Sequence, residues 1–242
     1  MTYPYTTVPD LDAALGLIVL QEDETLEGDM RAMLPLETAL YVSRVPSGDE
    51  VTPETLAAMA AHLTASAALL PKATRFASVG YGCTSGSAEI GSDRVAGFIH
   101  DGVATPHVTN PLAALVAACA ALGISRLALL SPYVAEVSAK LRTALAGQGI
   151  TTPAFGSFDE SEENKVVRID AQSIIDAAVD LAGQGGTEAI FLSCTNLRTL
   201  GVIDRIEALT GLPCLSSNQV MAWDMARNVA IGARIPGRLG RL

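Results

Sequence analysis

Basic side chains are scarce in this chain. Sixteen Lys and Arg stand against 26 Asp and Glu, giving a net charge of −10, and no basic cluster occurs. Such a surface repels phosphodiesters, so a nucleic-acid partner is not expected. Paired cysteines are missing as well: Cys83, Cys119, Cys194 and Cys214 include no CxxC, and His62, His100 and His107 lack ligand spacing. No metal site is expected from them. No apolar run approaches the roughly 18–20 residues that cross a bilayer. The start, "MTYPYTTVPDLD", has no basic stretch leading into an apolar core, so no signal peptide is expected either. A Walker A sequence is absent, and the stretch around Cys83 does not match a G-x-S-x-G elbow. These absences describe an acidic, cytoplasmic protein whose thiols stay reduced.

What remains is a core-rich chain. Of 242 residues 49% are hydrophobic and 17% charged, enough for one large α/β domain or two smaller lobes. Apolar strand patterns at 15–20, 38–45, 75–81, 126–131 and 188–193, with another in "LPCLSS", alternate with helical patterns. The helices include one from a Thr52 cap to about Leu70, "NPLAALVAACAALG" closed by Gly123, "YVAEVSAKLRTALAGQG", "DAQSIIDAAVDLAGQGG" and "NQVMAWDMARNVA". The alternation predicts an α/β fold with parallel sheets and helices on both faces. In such sheets a ligand sits beyond the carboxyl ends of the strands.

Two cysteines fall at that place. Cys83 follows a strand in "VGYGCTSGSAEIG" and Cys194 follows another in "AIFLSCTNLRTLG", about half the chain later. Cys119, in an Ala-rich helix, and Cys214, beside Pro213, read as packed core thiols. After each of the first two cysteines come small residues: Thr84, Ser85 and Gly86, then Thr195 and Asn196. Backbone N–H groups left free there can hold a carboxylate, and a helix N-terminus can bring a thiol down towards neutrality. Two similar lobes facing each other would set two thiols across one cleft. Other readings compete. Gly80, Gly82 and Gly86 nearly spell a dinucleotide fingerprint, with Asp101 as its ribose acid, and tight turns around core thiols would need no chemistry at all.

Taken together, "GYGCTSG", "LLSPY", "ENKVVRI" and "SCTNLRT" resemble the aspartate/glutamate racemase superfamily. The similar branch holds maleate cis-trans isomerases, arylmalonate decarboxylases and ectoine-utilisation racemase-like proteins. The likeness runs from "LGLIVLQEDETLEGDM" to "LSSNQVMAWDMAR". It implies two pseudo-symmetric Rossmann-like lobes, an N-terminal one over 1–110 completed by 219–242 and a C-terminal one over 111–218. The site would lie in the cleft between them, with no cofactor. It implies Cys83 and Cys194 as catalytic residues. Tyr133 and Asn164 would hydrogen-bond a substrate carboxylate, and Thr84, Ser85, Thr195 and Asn196 would belong to carboxylate-gripping loops.

One departure stands out. Asp23, in "LQEDETLE", occupies the place of an asparagine in the isomerases. A carboxylate there repels a dicarboxylate and attracts an ammonium. The expectation is therefore a racemase-type isomerase of a small carboxylic substrate, an amino acid or an N-acyl diamino acid. The alternative is a maleate cis-trans isomerase that adds cysteine to the double bond. An arylmalonate-type decarboxylase and a non-catalytic small-acid binder rank lower. A homo-oligomer is expected, as for many enzymes of this size.

Overall fold

A computed structural model describes residues 1–8 and 14–242. The first half runs β1 (Ala14–Leu20), α1 (Leu26–Met33), β2 (Ala39–Val45), α2 (Pro53–Ala58), α3 (Ala60–Ala67), β3 (Phe76–Gly82), α4 (Thr84–Ile90), α5 (Ser92–Gly102) and β4 (Val108–Thr109). The second half runs α6 (Pro111–Leu122), β5 (Arg126–Tyr133), α7 (Ala135–Gly147), β6 (Thr151–Glu160), α8 (Glu163–Val166), α9 (Ala171–Gly183), β7 (Ala189–Leu192), α10 (Ile203–Thr210), β8 (Cys214–Ser216) and α11 (Ser217–Arg227). Among the described residues, no helix is long and apolar enough to cross a membrane.

Each half builds a four-stranded parallel sheet, ordered β2-β1-β3-β4 in one and β6-β5-β7-β8 in the other. The two orders are the same path walked twice. The chain leaves the first strand of the sheet on one side and returns on the other, so neighbouring loops diverge between β1 and β3 and again between β5 and β7. Loops that part in this way open a crevice at the carboxyl ends of the strands. Strands buried on both faces read as continuous apolar runs, which is why β1 and β5 were legible: every residue of β1 is buried, and all of β5 beyond Arg126.

The expected helix from Thr52 to Leu70 is two. Thr52 does cap it, exchanging hydrogen bonds with Thr55, but regular bonding lapses at Met59, where the His62 N–H reaches the Met59 carbonyl three residues back. Strand β6 was not expected, because "TTPAFGSFDE" carries Pro153 and Gly156. It lies at the edge of its sheet, where a missing N–H costs no ladder bond. Cys119 and Cys214 are core residues, as their surroundings suggested.

The glycines of the near-fingerprint serve packing. A Cβ on Gly80 would lie 2.2 Å from Met221 Cε, and one on Gly82 would lie 2.1 Å from Leu26 Cδ2. Both positions let a helix sit directly on β3, α11 through its methionines and α1 through its first leucine. A dinucleotide turn is not what they form.

Gly82→Ala should therefore destabilise the fold by about 1–3 kcal/mol through overpacking against Leu26, read as a lower urea midpoint at unchanged m. A second outcome follows from Asp29 on α1, which accepts a 2.8 Å bond from Asn218 Nδ2 on α11. Burial raises its carboxyl to about 6, with the Asp23 charge adding to the rise and the Asn218 bond opposing it. An acid raised on folding binds its proton more tightly in the native state, so stability is lost as pH climbs from about 4 to about 6. Asp29→Asn should remove that loss, flattening the melting temperature across the window by the equivalent of about 1–2 kcal/mol after allowance for its partial exposure.

Candidate functional site

The four loops that follow β1, β3, β5 and β7 meet. After β1, Asp23 is 5% exposed and its Oδ1 accepts the N–H groups of Thr25 (2.8 Å) and Leu26 (2.7 Å), starting α1. Its Oδ2 is buried without a hydrogen-bond partner among the described residues. After β3, Cys83 is itself the N-cap of α4: its Sγ accepts the Gly86 N–H at 3.1 Å. Tyr133 ends β5. After β7, Cys194 is held at φ 91°, a conformation that L residues rarely adopt, and its Sγ accepts the Asn196 N–H at 3.2 Å. A non-glycine residue kept there stores about 1–3 kcal/mol, and such residues cluster at functional sites.

Cys83, Tyr133 and Cys194 line one small hollow, together with Thr84, Ser85, Thr195 and Glu163. It holds about 10 Å³, the room of one water molecule. The segment carrying Val51 roofs it, pinned to the other half by two backbone bonds: Val51 N–H to the Ser161 carbonyl, and Glu163 N–H to that of Asp49. A wider groove of about 560 Å³ between α4, α5, α6 and α7 is open to solvent and touches neither thiol.

No lysine, arginine or histidine side chain hydrogen-bonds either thiol among the described residues. Burial consequently outweighs the helix terminus, against the expectation of a thiol near neutrality. The Cys83 thiol is pushed up to about 12, chiefly by desolvation and also by the Glu163 and Asp23 charges, with the Gly86 N–H and Tyr81 opposing. Desolvation drives the Cys194 thiol up as well, and the Glu163 charge adds to it. The carboxyls of Asp23 and Glu163 are likewise raised by burial. The Arg44 guanidinium, whose charge opposes the rise at Asp23, donates to the carbonyls of Leu20, Gln21 and Asp23.

Thr84 bonds Ser217 across 2.7 Å, Thr195 donates to the Gly82 carbonyl, and Asn196 accepts from the Glu24 N–H. The second cysteine loop is thereby sewn onto the first half. Asn164 needs correcting. It lies exposed on α8, and the neighbouring side chain, Glu163, enters the hollow in its stead. Glu163 is 5% exposed and both its oxygens are engaged: Oε1 by Tyr133 Oη at 2.7 Å, Oε2 by Asn196 Nδ2 at 2.9 Å. Nothing in the spacing of "ENKVVRI" distinguishes one residue of a single-turn helix from the next. The one available signal was that an acid so close to an expected site residue has a neutral alternative beside it.

Residues 90–242 match the family model described as arylmalonate decarboxylase. The arylmalonate decarboxylase of Bordetella bronchiseptica is 30% identical over 123 residues, a match covering 50% of this chain and 51% of that protein. A maleate isomerase of Nocardia farcinica is 25% identical over 240 residues, covering 94% of each chain. A solved structure of a Nocardia farcinica maleate cis-trans isomerase mutant, carrying a covalently bound succinylcysteine intermediate, superposes with a TM-score of 0.84 at 23% identity, over 95% of this chain and 98% of that one. The fold of two parallel sheets is thus that of the maleate isomerases and arylmalonate decarboxylases, and with more than half its length matched by the family model, the chain belongs to the arylmalonate decarboxylase family.

Proposed function

We propose that the protein is a cofactor-independent isomerase of small carboxylic substrates, worked by Cys83 and Cys194. One observation carries this reading: two thiols from separate sheets line a single buried hollow. Cys83 is the better placed nucleophile, because its sulfur already accepts the Gly86 N–H at the start of α4. Its thiolate adds to an alkene carbon beside a carboxylate, which leaves a single bond free to rotate. Cys194 protonates the adjacent carbon; after the bond has rotated, the Cys194 thiolate takes that proton back as the Cys83–carbon bond breaks, which returns the alkene in the other geometry. The Ser85 hydroxyl, on a residue that lines the hollow, suits the substrate carboxylate, while the Thr84 and Thr195 hydroxyls are already bonded to Ser217 and the Gly82 carbonyl. The full-length maleate isomerase relatives support this order of preference over the racemase expected from the sequence.

The racemase reading keeps one specific support, the acids. Ionised, Asp23 pairs with a substrate ammonium; one thiol then removes the α-proton and the other returns one on the opposite face. Protonated, as burial favours, Asp23 donates to a substrate carboxylate much as an amide would.

Proton NMR of the purified protein in heavy water distinguishes them. With maleate the account expects fumarate to appear. Cys83→Ser and Cys194→Ser are each expected to lower that rate by at least about 10³-fold. Deuterium entering the α-carbon of aspartate or a diaminobutyrate derivative, with maleate untouched, would move the assignment to racemisation. Saturable binding with no turnover of any of these would contradict both.

A further inference from the structure

Glu163 has no counterpart in the mechanism above, yet it is tied to one of the reacting thiols. Tyr133 Oη donates to Glu163 Oε1 at 2.7 Å and lies 2.9 Å from Cys194 Sγ. A phenol has one proton. With that proton on the carboxylate, the contact to sulfur can only be S–H donating to the phenol oxygen. The three groups therefore form a chain in which both protons point the same way, from Cys194 through Tyr133 to Glu163.

We propose that Glu163, acting through Tyr133, is the positioning residue that takes and returns the proton of Cys194. The step balances without solvent. The Cys194 S–H bond breaks as its proton moves to the Tyr133 oxygen, and the Tyr133 O–H bond breaks as its proton moves to Glu163 Oε1. One negative charge leaves the carboxylate and appears on sulfur, so the buried net charge is unchanged. The reverse transfer restores the thiol. This rests on the two-cysteine reading and serves either version of it, since Cys194 must both give and accept a proton in each.

Three features of the surroundings fit. The hollow has space for about one water and Cys194 is 3% exposed, so bulk base has little access to it. An ionised Glu163 opposes a Cys194 thiolate, whereas a protonated one does not, so the transfer removes the repulsion as it makes the thiolate. Asn196 Nδ2 fixes the second carboxylate oxygen and leaves Oε1 aimed at Tyr133. The titratable groups facing Glu163 are Asp23 and Glu22 from the β1–α1 loop and the groups of the hollow itself, Tyr133, Cys194 and Cys83. None supplies a positive charge that could take over its part.

The test reads Cys194 without any substrate, so it stays informative even if the assigned reaction is wrong. Iodoacetamide alkylation of Cys194, located by peptide mass spectrometry in a Cys83→Ser background, is followed across neutral pH. An internal acceptor makes the thiolate fraction independent of pH above the Glu163 pKa, so the rate should be level. Glu163→Gln, and independently Tyr133→Phe, should turn it into a rate rising about tenfold per pH unit, because the proton then goes to water. Equal slopes in all three proteins would overturn the proposal. So would a Glu163→Gln protein that reacts faster at every pH on an unchanged slope, the signature of simply deleting a charge beside a thiol. In turnover with Cys83 intact, Glu163→Gln should lower kcat about 10²-fold with KM within about threefold. A raised KM at unchanged kcat would assign Glu163 to substrate binding instead.

Discussion

Parallel strands covered by helices on both faces offer a ligand one kind of opening, the gap where the strand order reverses, and this chain makes that reversal twice. Asp23 and Cys83 flank one gap, Tyr133 and Cys194 the other. The halves are joined by bonds from the second cysteine loop: Thr195 to the Gly82 carbonyl, Thr25 Oγ1 to the Asn196 carbonyl, and Asn218 between Asp29 and the Thr195 carbonyl. The proposed site depends on that seam, because neither sheet alone carries both thiols. The positive φ of Cys194 belongs to the same constraint, a backbone held out of its preferred region so that its sulfur meets the other half.

Desolvation is the second governing effect. With no cation bonded to either thiol among the described residues, burial wins over one helix N–H, and both sulfurs rest as thiols. Reactivity must then come from groups that exchange protons inside the hollow. In the proposed site the Tyr133–Glu163 pair supplies that exchange, and burial raises the carboxyls of both Asp23 and Glu163, so that a bound substrate could decide their charge. Buried acids of this kind suit an incoming ammonium when ionised and an incoming carboxylate when neutral.

Much of this was legible in the residues. Fully buried strands such as "LGLIVL" and "RLALLS" announce themselves as apolar runs, Thr52 and Gly123 mark helix ends by their chemistry, and two strand-end cysteines in matching small-residue contexts suggested a shared cleft. Helix α4 was only a suggested start, because Thr84, Ser85, Gly86 and Ser87 are poor helix formers that burial holds in place. Strand β6 was hidden by a proline tolerated at a sheet edge. Glu163 was missed by one position, since a four-residue helix has no periodicity to show which side chain turns inward. The thiol pKa was misjudged in direction, because a sequence displays the cap but not the depth of burial.

The central claim is that Cys83 and Cys194 share one small hollow. Intact-mass analysis of the folded protein after exposure to N-ethylmaleimide tests it most directly, with peptide mapping to locate the adducts. The account predicts that each chain accepts one maleimide at Cys83 or at Cys194, the first adduct filling the space before the second thiol. Chains bearing an adduct on both cysteines while still folded would contradict it.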